Sequence, residues 1–407
     1  MNFKILKLLG PGLLFAGAAI GVSHLVQSTR AGADFGLGLL WAIILVNLFK
    51  YPFFQYGPRY AAATGESLID GYKKLGTWVL ICYYSLTFLT MFTIQAAVTI
   101  VTAGLASQLF GLDLSVHIWS TLITLGCLAI LFIGTYKLLD RLIKLIIIIL
   151  TLSTLGAVIM AFINTDQAIS LQQVLPHGTI ELSFLIALLG WMPAPLDIAT
   201  WHSLWTLEKQ KNTEATIKTK QTLFDFNVGY IGTFILAICF VLLGTLIMFH
   251  SGLNFSTGAG AFAQELINLY TEVLGNKAGV FIAIAAFTTM VSTTLTTLDA
   301  SPRAMAKSTT LLFPKKLHGN YRAWLICLAG GTLVILFFFQ ENMLNMIKVA
   351  TILSFLTAPF YAICNFMLIA GKHTPKEWHP SMGMKFLSYL GILFLIGFSV
   401  WYLSTFF

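Results

Sequence analysis

A few polar side chains stand inside long apolar runs of this chain, and any chemistry it performs starts from them. Ser23 and His24 end a break in the first run, Gly21-Val22-Ser23-His24. Lys50 sits near the middle of the second run. Met192 and Asp197 flank Pro193-Ala194-Pro195 in a later one. Ionisable groups at membrane depth are costly and need partners. Imidazole and thioether suit softer transition metals and not magnesium. A carboxylate from Asp197, the Ser23 hydroxyl and freed backbone carbonyls could complete such a shell. Lys50 works against that reading. A fixed ammonium disfavours a bound metal unless it is neutralised, and it favours an anionic or zwitterionic solute, or stands in for a coupling ion. The intramembrane acids that could pair with it are Asp197, Asp225 and Asp299, and Asp197 is the expected partner. Further on, Thr288 to Thr297 is rich in hydroxyls. Ser292, Thr293, Thr296 and Thr297 fall at helical spacings that could form one face, and close helix packing is the simpler use of such a face.

The elements that hold these residues must be membrane helices. Of 407 residues, 57% are hydrophobic and 10% charged, against roughly 25% charged in ordinary soluble proteins. Mean hydropathy is +0.83. A disordered chain, a disulfide scaffold and a soluble enzyme are excluded. The five cysteines lie apart in apolar runs and read as small core residues. About eleven spans of roughly 20 residues each fit the length. They are expected near 10–33, 38–63, 78–109, 115–136, 142–164, 183–206, 225–249, 278–300, 322–340, 344–371 and 384–406. Trp201 and His202 are expected as interfacial anchors in the sixth, and Arg303, after Ser301-Pro302, in a loop. An amphipathic stretch, Ala261 to Leu274, reads as a short surface helix.

Lysine and arginine crowd alternate loops. One set holds Lys4, Lys7, Arg59, Lys73, Lys74, Lys209, Lys218, Arg303, Lys307, Lys315, Lys316 and Lys372, whereas the other holds little beyond Arg30 and Lys277. This asymmetry accounts for the net charge of +8 without nucleic acid. It places the N-terminus in the cytoplasm and the C-terminus outside the cell's inner (plasma) membrane. No phosphate-binding loop and no nucleophile–base pair is present, which argues against an ATP-driven pump and an enzyme.

Runs 1 and 6 are both interrupted. Pro193 and Pro195 each remove a backbone donor, and Gly21 weakens the first helix. Interrupted spans at matching positions of two halves point to a transporter built from inverted repeats, with unwound backbone free to hold a substrate or ion.

The stretch GPGLLFAGAAIGVSHLVQSTRAGADFGLGLLW resembles the first span of the NRAMP divalent-metal transporters. It shares the Gly10-Pro11-Gly12 start, Ala31-Gly32, Phe35-Gly36 and Leu39-Leu40-Trp41. The similarity runs on through Asn47-Leu48, Arg59 and Ala63-Thr64-Gly65, with later echoes at Met192-Pro193 and Pro359-Phe360. The resemblance implies an all-α LeuT-type fold in one transmembrane domain, residues 1–407. Its inverted five-helix repeats would cover about 10–164 and 183–371, with an extra helix at 384–406.

The departures bear on function. The family's Asp-Pro-Gly-Asn metal motif falls on Gly21-Val22-Ser23-His24, its Met-Pro-His on Met192-Pro193-Ala194, and two acidic residues linked to protons on Gln95 and Val98. The resemblance therefore implies a retained scaffold with a rebuilt site. Expected substrate contacts are Gly21, Ser23, His24, Met192, Ala194, Asp197 and Thr357, with His24, Met192 and Asp197 as metal ligands. Lys50, Gln95, Ser292 and Thr296 are expected in coupling or charge compensation, since hydroxyls of the eighth span can coordinate sodium in LeuT-type folds. The expected function is secondary transport of a divalent transition metal by alternating access. Its competitor is proton- or sodium-coupled transport of a small organic solute such as an amino acid. No permanent cofactor is expected, and the partners are the lipid bilayer and a small solute, with the chain a monomer.

Overall fold

A bilayer offers no water to satisfy backbone groups, so an apolar chain closes its hydrogen bonds within helices. The computed structural model describes residues 10–133, 136–164, 170–211, 219–249, 256, 258–275, 279–314, 319–338 and 343–406, and no strand occurs among them. Lys4, Lys7, Lys218, Lys277, Lys315 and Lys316 of the charge pattern lie outside these residues.

The first span is broken. Helix α1 (Pro11–Ala19) gives way at Ile20-Gly21-Val22 to a π-helical turn (Ser23–Ser28) and then α2 (Thr29–Phe35). The two halves are bent by 48°. There follow α3 (Leu40–Thr64), short α4 (Leu68–Leu75), α5 (Thr77–Phe110), α6 (Val116–Ile133) and α7 (Tyr136–Asn164). The sixth span is two helices, α8 (Thr179–Trp191) and α9 (Ile198–Lys211), separated by the Pro193/Pro195 segment. Then come α10 (Thr219–Leu243, continued by a π-helical turn Gly244–Met248), α11 (Ala259–Leu274), α12 (Gly279–Leu312), α13 (Tyr321–Phe338), α14 (Met343–Ala370) and α15 (Met382–Ser404).

Among the described residues eight helices are long and apolar enough to cross a membrane, nine with the bent first span. Helix α3 has 25 residues, about 37 Å at 1.5 Å per residue, but carries Asn47, Lys50, Gln55 and Arg59. With α3 and the α8/α9 pair the arrangement agrees with the expected eleven spans. Helix α12 runs past Pro302 to Leu312, beyond the expected end near residue 300. Arg303 is therefore helical rather than in a loop. It donates to Asp299 at 2.7 Å, and Tyr321 donates to the same carboxylate at 2.6 Å. The amphipathic stretch is the helix α11, whose apolar face (Phe262, Leu266, Leu269) is buried.

Two close approaches fix the broken helices. A Cβ on Gly12 would fall 2.0 Å from the Asp225 carbonyl oxygen, and one on Gly229 would fall 2.0 Å from that of Gly12. Helices α1 and α10 thus cross backbone to backbone. The Asp225 carboxylate accepts from the amides of Gly10 (2.8 Å) and Gly12 (2.9 Å). Pro11 between them has no N–H to satisfy. A carboxylate is well placed at a helix N-terminus, where the dipole is positive. Likewise, a Cβ on Gly190 would lie 2.0 Å from the Thr351 carbonyl, which seats α8 against α14.

Candidate functional site

The two breaks meet α5 and α12 around a cavity of about 20 Å³, room for roughly one water-sized occupant. Its walls are Ala18, Ala19, Val22 and Ser23 from span 1, Trp191, Pro195, Ile198 and Trp201 from span 6, Ile94 and Val98 from α5, and Thr293 and Thr297 from α12. Among these residues there is no carboxylate and no sulfur. Trp201 is 1% exposed and walls the cavity, so it is not an interfacial anchor. His202, equally buried, stacks on Phe15 with ring centroids 5.7 Å apart.

Position 21 has no room for a side chain. A Cβ on Gly21 would sit 2.8 Å from Thr293 Oγ1 and 2.9 Å from its Cγ2. The Thr293 hydroxyl reaches the carbonyls of Gly17 (3.1 Å) and Ile20 (3.2 Å), where α1 ends, and that of Thr289 (3.2 Å). These free carbonyls are thus met by a hydroxyl of α12. Of the four residues of α12 expected on one face, Thr293 and Thr297 line the cavity, and Ser292 and Thr296 do not. Thr296 bonds back to the Ser292 carbonyl at 2.7 Å, and the Ser292 hydroxyl is buried without a partner. A ladder with hydroxyls on adjacent faces does not reveal its own phase. Gln95 lies beside this face: it accepts from Thr297 at 2.6 Å and donates to the Thr294 carbonyl at 3.2 Å.

His24 turns toward α10. Its Nε2 lies 3.0 Å from the Thr233 carbonyl and its Nδ1 2.7 Å from Ser23 Oγ. A carbonyl only accepts, so Nε2 carries the proton and Nδ1 faces the serine. Both ring nitrogens therefore have protein partners, and the buried histidine serves as packing at the break. Ser23 Oγ lies 2.7 Å from the Ala19 carbonyl. Met192 is fully buried and joins Pro193 through a cis peptide bond. Thr357 is half-buried and donates to the Ser354 carbonyl at 3.1 Å. Among the described residues no group of three or more His, Cys, Asp or Glu side chains could hold a metal ion.

Lys50 departs most from expectation. Its ammonium is fully buried and donates to the carbonyls of Leu189 (2.7 Å), Gly190 (2.8 Å) and Ala194 (3.3 Å). No ion pair with Asp197 forms. These carbonyls are the orphan acceptors at the end of α8, where the helix dipole is negative, so a cation is stabilised there by backbone, with Asp197 acting on it only across the gap. Asp197 sits at the other side of the gap, immediately before α9, with Oδ1 buried and without a hydrogen-bond partner. The two cut ends of span 6 thus carry charges opposite to their dipoles. Residues that the sequence reading did not single out for the site include Trp191, whose indole donates to Ser354 at 2.8 Å, and Thr233. The Pro-Ala-Pro signal pointed to the right loop, but carbonyl partners leave no trace in side-chain types.

Broken helices around a small central cavity define a membrane transporter. The family described as natural resistance-associated macrophage protein-like (Nramp) matches residues 12–405, and the chain belongs to it. A relative, an uncharacterized protein of Pasteurella multocida (strain Pm70), is 36% identical over 399 residues, covering 95% of this chain and 91% of its own. Among solved structures, a mutant of the Eremococcus coleocola manganese transporter superposes with a TM-score of 0.74 at 14% identity, covering 98% of this chain and 87% of that one. MhsT in complex with L-phenylalanine superposes with a TM-score of 0.62 at 12% identity, covering 96% and 98%. The fold is that of LeuT-type transporters. The chain is a multi-pass member of a metal-transporter family and not an enzyme.

Proposed function

We propose that this protein is a secondary transporter of a small organic solute bearing a carboxylate, and that it has given up divalent-metal transport while keeping the Nramp scaffold. The observation that carries the reading is the ammonium of Lys50 in the carbonyl cage that ends α8. A divalent ion needs its charge neutralised by the site. Here a fixed cation stands at the break, Gly21 stands where the family's metal motif has its acid, Ala194 stands where its Met-Pro-His has histidine, and His24 has no free nitrogen. The cavity is a closed form, too small for the solute, and it opens as the two inverted repeats rock around the breaks. Lys50 supplies the charge that a coupling cation brings elsewhere, so sodium is not required. The basic face, with Lys209, Lys307 and Lys372, is cytoplasmic in the plasma membrane.

The metal reading keeps one favourable observation, the buried Asp197 Oδ1 without a hydrogen-bond partner. Uptake into proteoliposomes separates the two. We expect saturable uptake of labelled small carboxylates with no manganese flux. Saturable manganese uptake that disappears in both His24→Ala and Met192→Ala would overturn the proposal in favour of a metal.

A further inference from the structure

A second cavity, of about 230 Å³, lies farther along span 1 toward α2. Gln27, Arg30, Phe184, Ala187, Leu344 and Lys348 are among its walls. It stands in register with the central cavity. Gln27 follows Ser23 by four residues, and Trp191 follows Ala187 by four. On α8, positions four apart share a face about one turn apart, and on span 1 the π-helical turn Ser23–Ser28 runs from the wall of one cavity to that of the other. Trp191, pinned to Ser354, walls the central cavity four residues on from Ala187, which lines the second.

The chemistry of this chamber has one sign. Its walls hold two cations, Arg30 and Lys348, and no acid among the described residues. Arg30 lies over the Phe184 ring, 4.9 Å from the centroid. Its hydrogen-bond partner is Asp34, at 3.5 Å, outside the lining. A guanidinium has five N–H donors, so most of the Arg30 fork is uncommitted. Gln27 is 2% exposed, and its Oε1 has no partner. A buried polar atom left open at a cavity wall awaits a ligand or water.

We propose that this chamber is an anion-capture site, in which Arg30 and Lys348 take the carboxylate of the solute and Gln27 its adjoining N–H or O–H group, before Trp191 moves aside. The assignment rests on the carboxylate reading given above and adds a second, separate site for it. A planar guanidinium matches a carboxylate with two parallel hydrogen bonds. The same pair of cations repels a divalent metal at the mouth of the pathway, before any ligand set is reached.

The test does not require the natural solute. Leu344→Cys places a thiol in the chamber of the full-length protein in detergent. Its modification rate is compared for a sulfonate-bearing and a trimethylammonium-bearing methanethiosulfonate, with the unsubstituted protein as control for Cys82 and Cys327. The sulfonate stands in for a carboxylate. We expect it to react about tenfold faster after correction for intrinsic reactivity, as two nearby cations would cause. Lys348→Gln and Arg30→Gln should each remove several-fold of that preference, while Arg30→Lys keeps it. Equal rates, or a faster cationic reagent, would overturn the proposal. A preference unchanged in both glutamine variants would also overturn it. If the preference holds but carboxylates are not transported, the chamber stands and the cargo reading fails. If carboxylates are transported without the preference, the reverse holds.

Discussion

Replacing Lys50 by methionine tests whether the end of α8 is a cation cage. The substitution keeps an unbranched side chain one atom shorter and removes its donors. Three buried carbonyls, those of Leu189, Gly190 and Ala194, then lose a charged partner. An unsatisfied buried acceptor costs about 1–3 kcal/mol. Against this, the effective desolvation penalty of several kcal/mol for a buried ion is no longer incurred. Taken together, we expect a net loss of about 2 kcal/mol, a fall in Tm of a few degrees. The diagnostic part is rescue. With the ammonium gone, a small monovalent cation can enter the vacated cage. At ten times its Kd, sodium would restore about 1.4 kcal/mol. The assay is thermal unfolding of the purified variant in sodium chloride against choline chloride at equal ionic strength, with the unsubstituted protein beside it. Sodium should raise the Tm of Lys50→Met and leave the parent unmoved. A Lys50→Met protein as stable as the parent and indifferent to sodium would refute the cage. Equal rescue by choline would reduce the effect to ordinary salt.

Other consequences follow from the same contacts. Gly21→Ala should cost about 1–3 kcal/mol through overpacking against Thr293, and Thr293→Ala should relieve most of that, which a double-mutant cycle of Tm values would read as strong coupling. Gly21→Asp with His24→Asn, which restores two family residues, should still fail to bind manganese by calorimetry; micromolar binding would mean that the Thr293 contact is not what closes the site. Asp225→Asn leaves one acceptor for two amides and should cost about 1–2 kcal/mol, with faster hydrogen exchange over residues 10–19 and unchanged exchange in α14. Trp191→Phe frees the Ser354 hydroxyl, and should speed modification of a cysteine at Ala18 from the capture chamber; an unchanged rate would remove Trp191 as a barrier between the two cavities.

Much of the architecture is legible from residue types, because bilayer chemistry leaves few choices. Apolar runs and their polar breaks mark the spans, and Gly21, Pro193 and Pro195 mark the interruptions. The site is less legible, for a reason that Lys50 and Asp225 share. Each charged group is satisfied by backbone, one by carbonyls at a helix end and the other by amides at a helix start. A search for side-chain partners pairs Lys50 with an acid and finds nothing for Asp225. His24 misleads similarly, since a polar residue at a break reads as a ligand whether it faces the cavity or, as here, the carbonyl of Thr233. Arg303, expected in a loop after Ser301-Pro302, lies in a helix that runs through Pro302.

The tethered ammonium also has an electrical consequence. A coupling ion released inside the cell carries charge across the membrane in every cycle, whereas Lys50 goes out and comes back with the protein and transfers none. With the Asp197 carboxylate across the gap, the empty carrier is locally neutral, and a monoanionic cargo gives the loaded carrier one negative charge. Voltage then acts on the loaded form to the extent that the cargo's charge moves through the field, at most about 2.3 kcal/mol per 100 mV for a full crossing. An inside-negative potential opposes inward movement of the loaded carrier, so uphill import of an anion has to draw on a proton gradient or on exchange for an internal anion. Current recorded on cargo addition, set against cargo moved, would give the charge per cycle directly.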